Sequence, residues 1–257
     1  MTLFVAATLL AGGVTACGDP TPAELGPTRT VAPPPDQVDN ARAALAARAA
    51  LAEDHRFAAL YHFDAPGAPE RNVVATVAGD GSWRVDVAGG VLGGTTDVAI
   101  VSNANGVFQC ALPSTANPVT PSCARVAGPG KPVPRAYDPK VERLFRRWLG
   151  VFTDRQSAVA VTAVPPLAKS TGSCFSVDSI SASMNAPVDV GIYCYAEDGL
   201  LTAAKVGFGT LRLASTPVAP PARVELPGPV GQAGPLPTAA PPPPPPVSTV
   251  PSVTPSG

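Results

Sequence analysis

Residues 57–87 read FAALYHFDAPGAPERNVVATVAGDGSWRVDV, and this stretch decides the fold class. Apolar and polar side chains run at a period near two over Phe57 to Phe63, Asn72 to Val77 and Trp83 to Val87, and the breaks between these runs are turn sequences, Pro66-Gly67 and Asp80-Gly81. Alternation sends successive side chains to opposite faces of a strand, and Asp-Gly tolerates the positive φ angles of a tight hairpin. Three consecutive antiparallel strands are therefore expected. Thr95 to Val101, the turn Asn103-Ala104-Asn105-Gly106 and Val107 to Ala111 repeat the arrangement, which makes the whole an antiparallel meander.

Outward from this stretch the period changes. Asp39 to Glu53 is alanine-rich, with Arg42, Arg48 and Glu53 interspersed, and predicts a helix packed on a sheet. On the other side, the proline-rich segment Ala111 to Arg135 reads as an excursion at the rim of the sheet. Asp138-Pro139 then offers an N-cap and a first helical residue, and Val141, Leu144, Phe145, Trp148, Leu149 and Phe152 recur at helical spacing. Lys140, Glu142, Arg143, Arg146 and Arg147 take the opposite face of that helix. Further strands are expected at Ser157 to Val164, Cys174 to Ser179, Val190 to Ala196, Leu200 to Gly207 and Leu211 to Ala214, with a turn at Asp198-Gly199 and the end of the domain near Leu226-Pro227. The expected fold is α+β: a curved antiparallel sheet with an N-terminal helix and a central amphipathic helix packed on its concave face.

The ends of the chain have a different character. Leu3 to Val14 is apolar and is followed by Thr15-Ala16-Cys17. A run of this length falls short of the roughly 20 residues that span a bilayer, so it reads as the core of a secretory signal, residues 1–16. Val14-Thr15-Ala16-Cys17 resembles the lipobox of bacterial lipoproteins, which implies a diacylglyceryl group on Cys17 and a membrane anchor there. No Lys or Arg precedes the apolar run, which points to a start upstream. Residues 17–37 form a proline-rich tether, residues 38–227 the folded domain, and residues 228–257, with Pro241 to Pro246, a disordered proline-rich tail.

Composition narrows the function classes. Charged residues make up 14%, the net charge is −1 and no basic run exists, so a nucleic-acid partner is not expected. Of five cysteines, one is assigned to lipid. The other four, Cys110, Cys123, Cys174 and Cys194, suit disulfides in an oxidising compartment. Three connectivities are possible, and Cys110 with Cys123 and Cys174 with Cys194 is preferred, because each pair is close in sequence and lies on or beside neighbouring strands. Metal-binding spacings are absent. His55 and His62, Thr171-Gly172-Ser173-Cys174, Glu197-Asp198-Gly199 and the glycines Gly89, Gly90, Gly93 and Gly94 each read more simply as turn, edge or loop than as catalytic groups. No enzyme and no cofactor are expected.

Helix, meander, central helix and further hairpins, together with the lipobox, resemble the bacterial lipoproteins with a LolA-like domain, a group that includes the LppX and LprG relatives of actinobacteria. Phe57 to Tyr61, Gly81 to Asp86 and the segment GIYCYAEDGLLTAA at 191–204 carry the likeness. The resemblance implies an unclosed half-barrel whose concavity holds acyl chains, with no catalysis. The stripe Phe145, Trp148 and Phe152 reads first as core and second, together with Val141, as a ligand-lining lid, and the protein is expected on the extracytoplasmic face of the membrane. The competing expectation is an envelope protein–protein interaction or sensor module that uses the sheet face or the proline-rich tail.

Overall fold

The computed structural model describes residues 35–115, 117–181 and 187–241. Cys17, the expected signal and nearly all of the tether lie outside the described residues, as do residues 242–257 of the expected tail. Eleven strands among the described residues form one antiparallel sheet. They are β1 (Phe57–Asp64), β2 (Arg71–Val77), β3 (Trp83–Val91), β4 (Thr96–Asn103), β5 (Gly106–Leu112), β6 (Ser122–Ala127), β7 (Val159–Val164), β8 (Ser173–Ser179), β9 (Gly191–Tyr195), β10 (Leu201–Val206) and β11 (Gly209–Leu213). Their order across the sheet is β6-β5-β4-β3-β2-β1-β11-β10-β9-β8-β7. Neighbours in space are thus neighbours in sequence at every place but one, where β1 pairs with β11, Tyr61 opposite Leu213 and Asp64 opposite Thr210. Two meanders are joined along that seam. The sheet is open, with β6 and β7 as its edges.

Alternation explains the strands directly. In β1, Phe57, Ala59, Tyr61 and Phe63 are buried while the residues between them are half-buried or exposed. The segment expected to be an excursion supplies the edge strand β6, because Cys123 lies directly opposite Cys110 on β5 and a disulfide joins them at a Cα separation of 4.0 Å. Cys174 and Cys194 face each other across β8 and β9 in the same way.

One face of the sheet carries the main core. Helix α1 (Pro35–Asp54) begins a turn earlier than its alanine run predicts and buries Ala41, Leu45, Ala49 and Ala52, a stripe spaced by four, four and three residues. Its Arg42 also covers an edge: the guanidinium donates to Val159 O (2.6 Å) and Ser157 O (2.8 Å), satisfying carbonyls at the start of β7. The connection from β6 to β7, residues 128–158, crosses this same face. Its apolar residues join side chains from β1 to β4 and β7 to β11 in one core, which a sheet of this width shares with so short a segment only by curving.

The crossing segment is not the single helix that its spacing predicts. Lys140 has φ +70°, a 3-10 turn follows at Val141–Leu144, and only α2 (Leu149–Thr153) is α-helical. The reason is electrostatic. A regular helix would turn Arg143 roughly 140° away from Asp138. The break at Lys140 brings Arg143 back onto Asp138, and the apolar residues reach the core without helical periodicity.

The chain does not leave the domain at Leu226-Pro227 either. Residues 214–241 form a strap around the β6 edge. Val218 pairs with Ala58, Val224 N–H donates to Ser82 Oγ (3.0 Å), and Val224 and Leu226 cover an apolar cluster on the outer face that includes Phe108 and the Cys110–Cys123 bridge. At the edge, Cys123 N–H donates to Pro229 O (2.8 Å) and Gly231 N–H to Cys123 O (3.0 Å). On the inner face the Gln109 amide grips Leu236 at both N–H and carbonyl (2.7 and 2.9 Å), and Leu92 N–H donates to Pro237 O (2.9 Å). Proline suits such a strap, because it has no N–H to leave unpaired on the solvent side.

Candidate ligand-binding cleft

The crossing segment builds a polar cluster beside its apolar one. Pro139 restricts Asp138 to extended backbone (ψ 109°), which turns its carboxylate inward, where the side chain is wholly buried. Asp138 Oδ1 accepts the Lys140 N–H (2.6 Å), and Oδ2 accepts two bonds from the Arg143 guanidinium, one of them from Nε at 2.8 Å. Arg143 Nη1 also lies 3.7 Å from Asp189 Oδ1, and Trp148 Nε1 donates to the other Asp189 oxygen (3.2 Å). Burial alone would lower the Arg143 pKa, but the hydrogen bond and charge of Asp138 more than offset it and hold the guanidinium above its ordinary value.

Glu142 completes the cluster. It is 5% exposed, and its Oε2 has no hydrogen-bond partner among the described residues. Burial, and then the negative charge of Asp138, raise its pKa well above the ordinary glutamate value, which favours the uncharged carboxyl. An orphaned buried acceptor costs about 1–3 kcal/mol, a penalty that a protein sheds where a ligand or solvent can complete the site.

Glu142 stands in the wall of a cleft of about 450 Å³ between the crossing segment and the ends of β3, β4 and β5, within the size range of small-molecule sites. Trp83, Val107 and Val133 form its apolar side. Lys131, Arg146 and Arg147 stand around it. Arg146 donates to Glu53 O (2.9 Å), and the Arg147 guanidinium lies 4.9 Å from the centre of the Trp148 ring. Depressions of similar volume lie under α1 against β8 and along the strap at Arg84 and Arg223. Neither is bordered by a buried polar side chain lacking a partner.

Of the residues singled out by sequence, Val141, Phe145, Trp148 and Phe152 are packed into the main core and do not border this cleft. Phe145 meets Tyr61 edge-on at 5.0 Å between ring centres, and Phe152 meets Tyr193 at 5.1 Å. His55 and His62 lie apart: His55 approaches Asp198 (3.9 Å), while His62 Nδ1 contacts Asn72 Oδ1 (3.2 Å). Asp198 caps the β9–β10 turn through Leu200 N–H (3.0 Å). Gly172, in the Thr171 to Cys174 stretch, allows β8 to approach β9, since a Cβ there would lie 2.1 Å from Tyr195 O. Among the described residues no group of three His, Cys, Asp or Glu side chains is placed to hold a metal, and no helix is long and apolar enough to cross a membrane.

Sequence reasoning missed the role of Asp138 and Glu142 and did not single out Asp189. Asp138 read as the N-cap of a helix and Glu142 as part of its polar face, and no local signal showed that the chain turns between them. No family model matches the chain, and no curated protein matches it.

Proposed function

We propose that this chain is an exported lipoprotein, anchored through a diacylglyceryl group on Cys17 to the extracytoplasmic face of the cell membrane, whose sheet domain binds an amphiphilic, lipid-like ligand without catalysing a reaction. The observation that carries the reading is the cleft beside Glu142, apolar on one side and charged around the other, a pairing that suits a molecule with two kinds of surface. An open sheet that curves around a central segment, with a helix on the same face, supports a likeness to the LolA-like lipoprotein domain. In this chain aromatic side chains fill the inner face, so the ligand belongs at the rim and not in a hollow interior. Burial of apolar tail adds roughly 0.8 kcal/mol per methylene, so a few methylenes against Trp83 and Val133 give measurable affinity.

The same filled face favours a second reading, an envelope interaction module that presents the sheet or the strap to another protein. Native mass spectrometry of the full chain, purified from an actinobacterial host, separates the two. A stoichiometric lipid that co-purifies supports ligand binding, whereas a clean apo mass with both disulfides formed moves the weight to the interaction module. In the same preparation the Cys17→Ala variant should lose the lipid mass at its N-terminus and leave the membrane fraction; retention there would overturn the anchor.

A further inference from the structure

The residues that line the cleft include four cations and one carboxyl, and the carboxylates of Glu53 and Asp54 act on Arg146 from outside it. Arg143 is committed to Asp138 and Asp189. Lys131 and Arg147 have no ion-pair partner among the described residues, and Arg146 offers only one of its nitrogens to a backbone carbonyl. Burial and the neighbouring Asp138 favour the uncharged form of Glu142, the one carboxyl in the cleft wall. A concave site walled by low-dielectric side chains and fringed by unpaired cations focuses a positive potential. Guanidinium groups match the oxygens of carboxylates and phosphates in a planar, two-pronged geometry.

We infer that the cleft takes an amphiphile with an anionic head, a carboxylate or a phosphate ester, held by Lys131, Arg146 and Arg147 with the Glu142 carboxyl beside it and Trp83, Val107 and Val133 against the start of the tail. This rests on the ligand-binding reading above. Glu142 is compatible with an anionic head because burial and the charge of Asp138 favour its uncharged form, where an ionised carboxylate would repel the head.

The test is calorimetric titration of the full chain carrying Cys17→Ser with three probes below their micelle-forming concentrations: a monoacylglycerol phosphate, the matching uncharged monoacylglycerol, and glycerol phosphate. The monoacylglycerol phosphate is expected to bind one per chain, at least about tenfold tighter than either of the others. The double variant Lys131→Gln, Arg147→Gln alters two solvent-exposed side chains and should weaken that probe about tenfold while the protein stays folded, its melting temperature lowered by no more than about 4 °C through loss of the Arg147–Trp148 contact. Equal affinity for the uncharged monoacylglycerol would overturn the anionic head and leave ligand binding standing. Equal affinity for glycerol phosphate would make this a small-anion site and overturn the amphiphile. Undiminished binding by the double variant would overturn the assignment of these residues, and silence from all three probes would overturn the ligand-binding reading itself.

Discussion

At the scale of the residue, Glu142 and Asp138 divide one buried site between them, and opposite consequences follow for each. Above the ordinary glutamate pKa of 4.5 the unfolded chain releases a proton that folded Glu142 keeps, because burial and then Asp138 raise its pKa. The stability linked to this group is therefore complete below that value and is lost as pH rises through the elevated folded value. Glu142→Gln abolishes the dependence. Its melting temperature should match the wild type at about pH 4 and exceed it increasingly towards about pH 8, by a few degrees, since ~1 kcal/mol moves a domain of this size by ~2–4 °C. A constant gap across that range would mean that Glu142 is ionised in the folded protein. Asp138→Ala acts differently: it strands the Arg143 guanidinium, whose side chain is only 15% exposed. Breaking such a pair from one side should cost about 3–5 kcal/mol, read as a lower urea midpoint; a change under about 1 kcal/mol would show that Asp189 alone suffices for Arg143.

At the scale of the element, the strap is the least conventional part and the easiest to remove. Ending the chain at Ser215 uncovers the backbone of β6 and the outer cluster around Phe108. Exposed edges template pairing with other chains, so the truncated protein should dimerise or aggregate on size-exclusion chromatography and bind a hydrophobic dye, while a monodisperse monomer would deny the strap a protective role. The strands of the two meanders were legible because Phe57, Ala59 and Tyr61, or Val73, Ala75 and Val77, alternate over enough residues to declare a face. β6 and the strap were not. Cys123 is held by a bridge to Cys110, and Leu236 by an amide on Gln109, partners that no local periodicity announces. The crossing segment misled for a related reason: its apolar spacing is helical, but the backbone breaks at Lys140 to bring Arg143 onto Asp138, and Asp189 joins them from a distant stretch of chain. The cleft inherits that illegibility, because Trp83, Val133 and Glu142 come together only once the segment has folded over β3 to β5.

At the scale of the whole molecule, each disulfide lies within one meander, Cys110–Cys123 in the first and Cys174–Cys194 in the second, and neither crosses the seam between β1 and β11. The separations of 13 and 20 residues are short loops, and replacing either pair by alanine should cost about 3 kcal/mol in the chain-entropy account. Urea unfolding of the two double variants should show comparable losses, and a loss confined to one would mean that the other bridge is dispensable. The seam also governs how the molecule carries a mechanical load. Because Tyr61 opposes Leu213 and Ala58 opposes Val218, β1 begins and β11 ends on the same side of the sheet. A pull between the N-terminal helix and the far end of the strap loads the hydrogen bonds one after another and not all in parallel. The contacts at Thr238 and Pro237 part first, then Leu236, then those at Pro229 and Gly231, and only afterwards the Ala58–Val218 pair. A protein held at one end and pulled at the other would then yield in small steps, paying out strap like a safety line before the aromatic core around Phe145 and Trp148 opens.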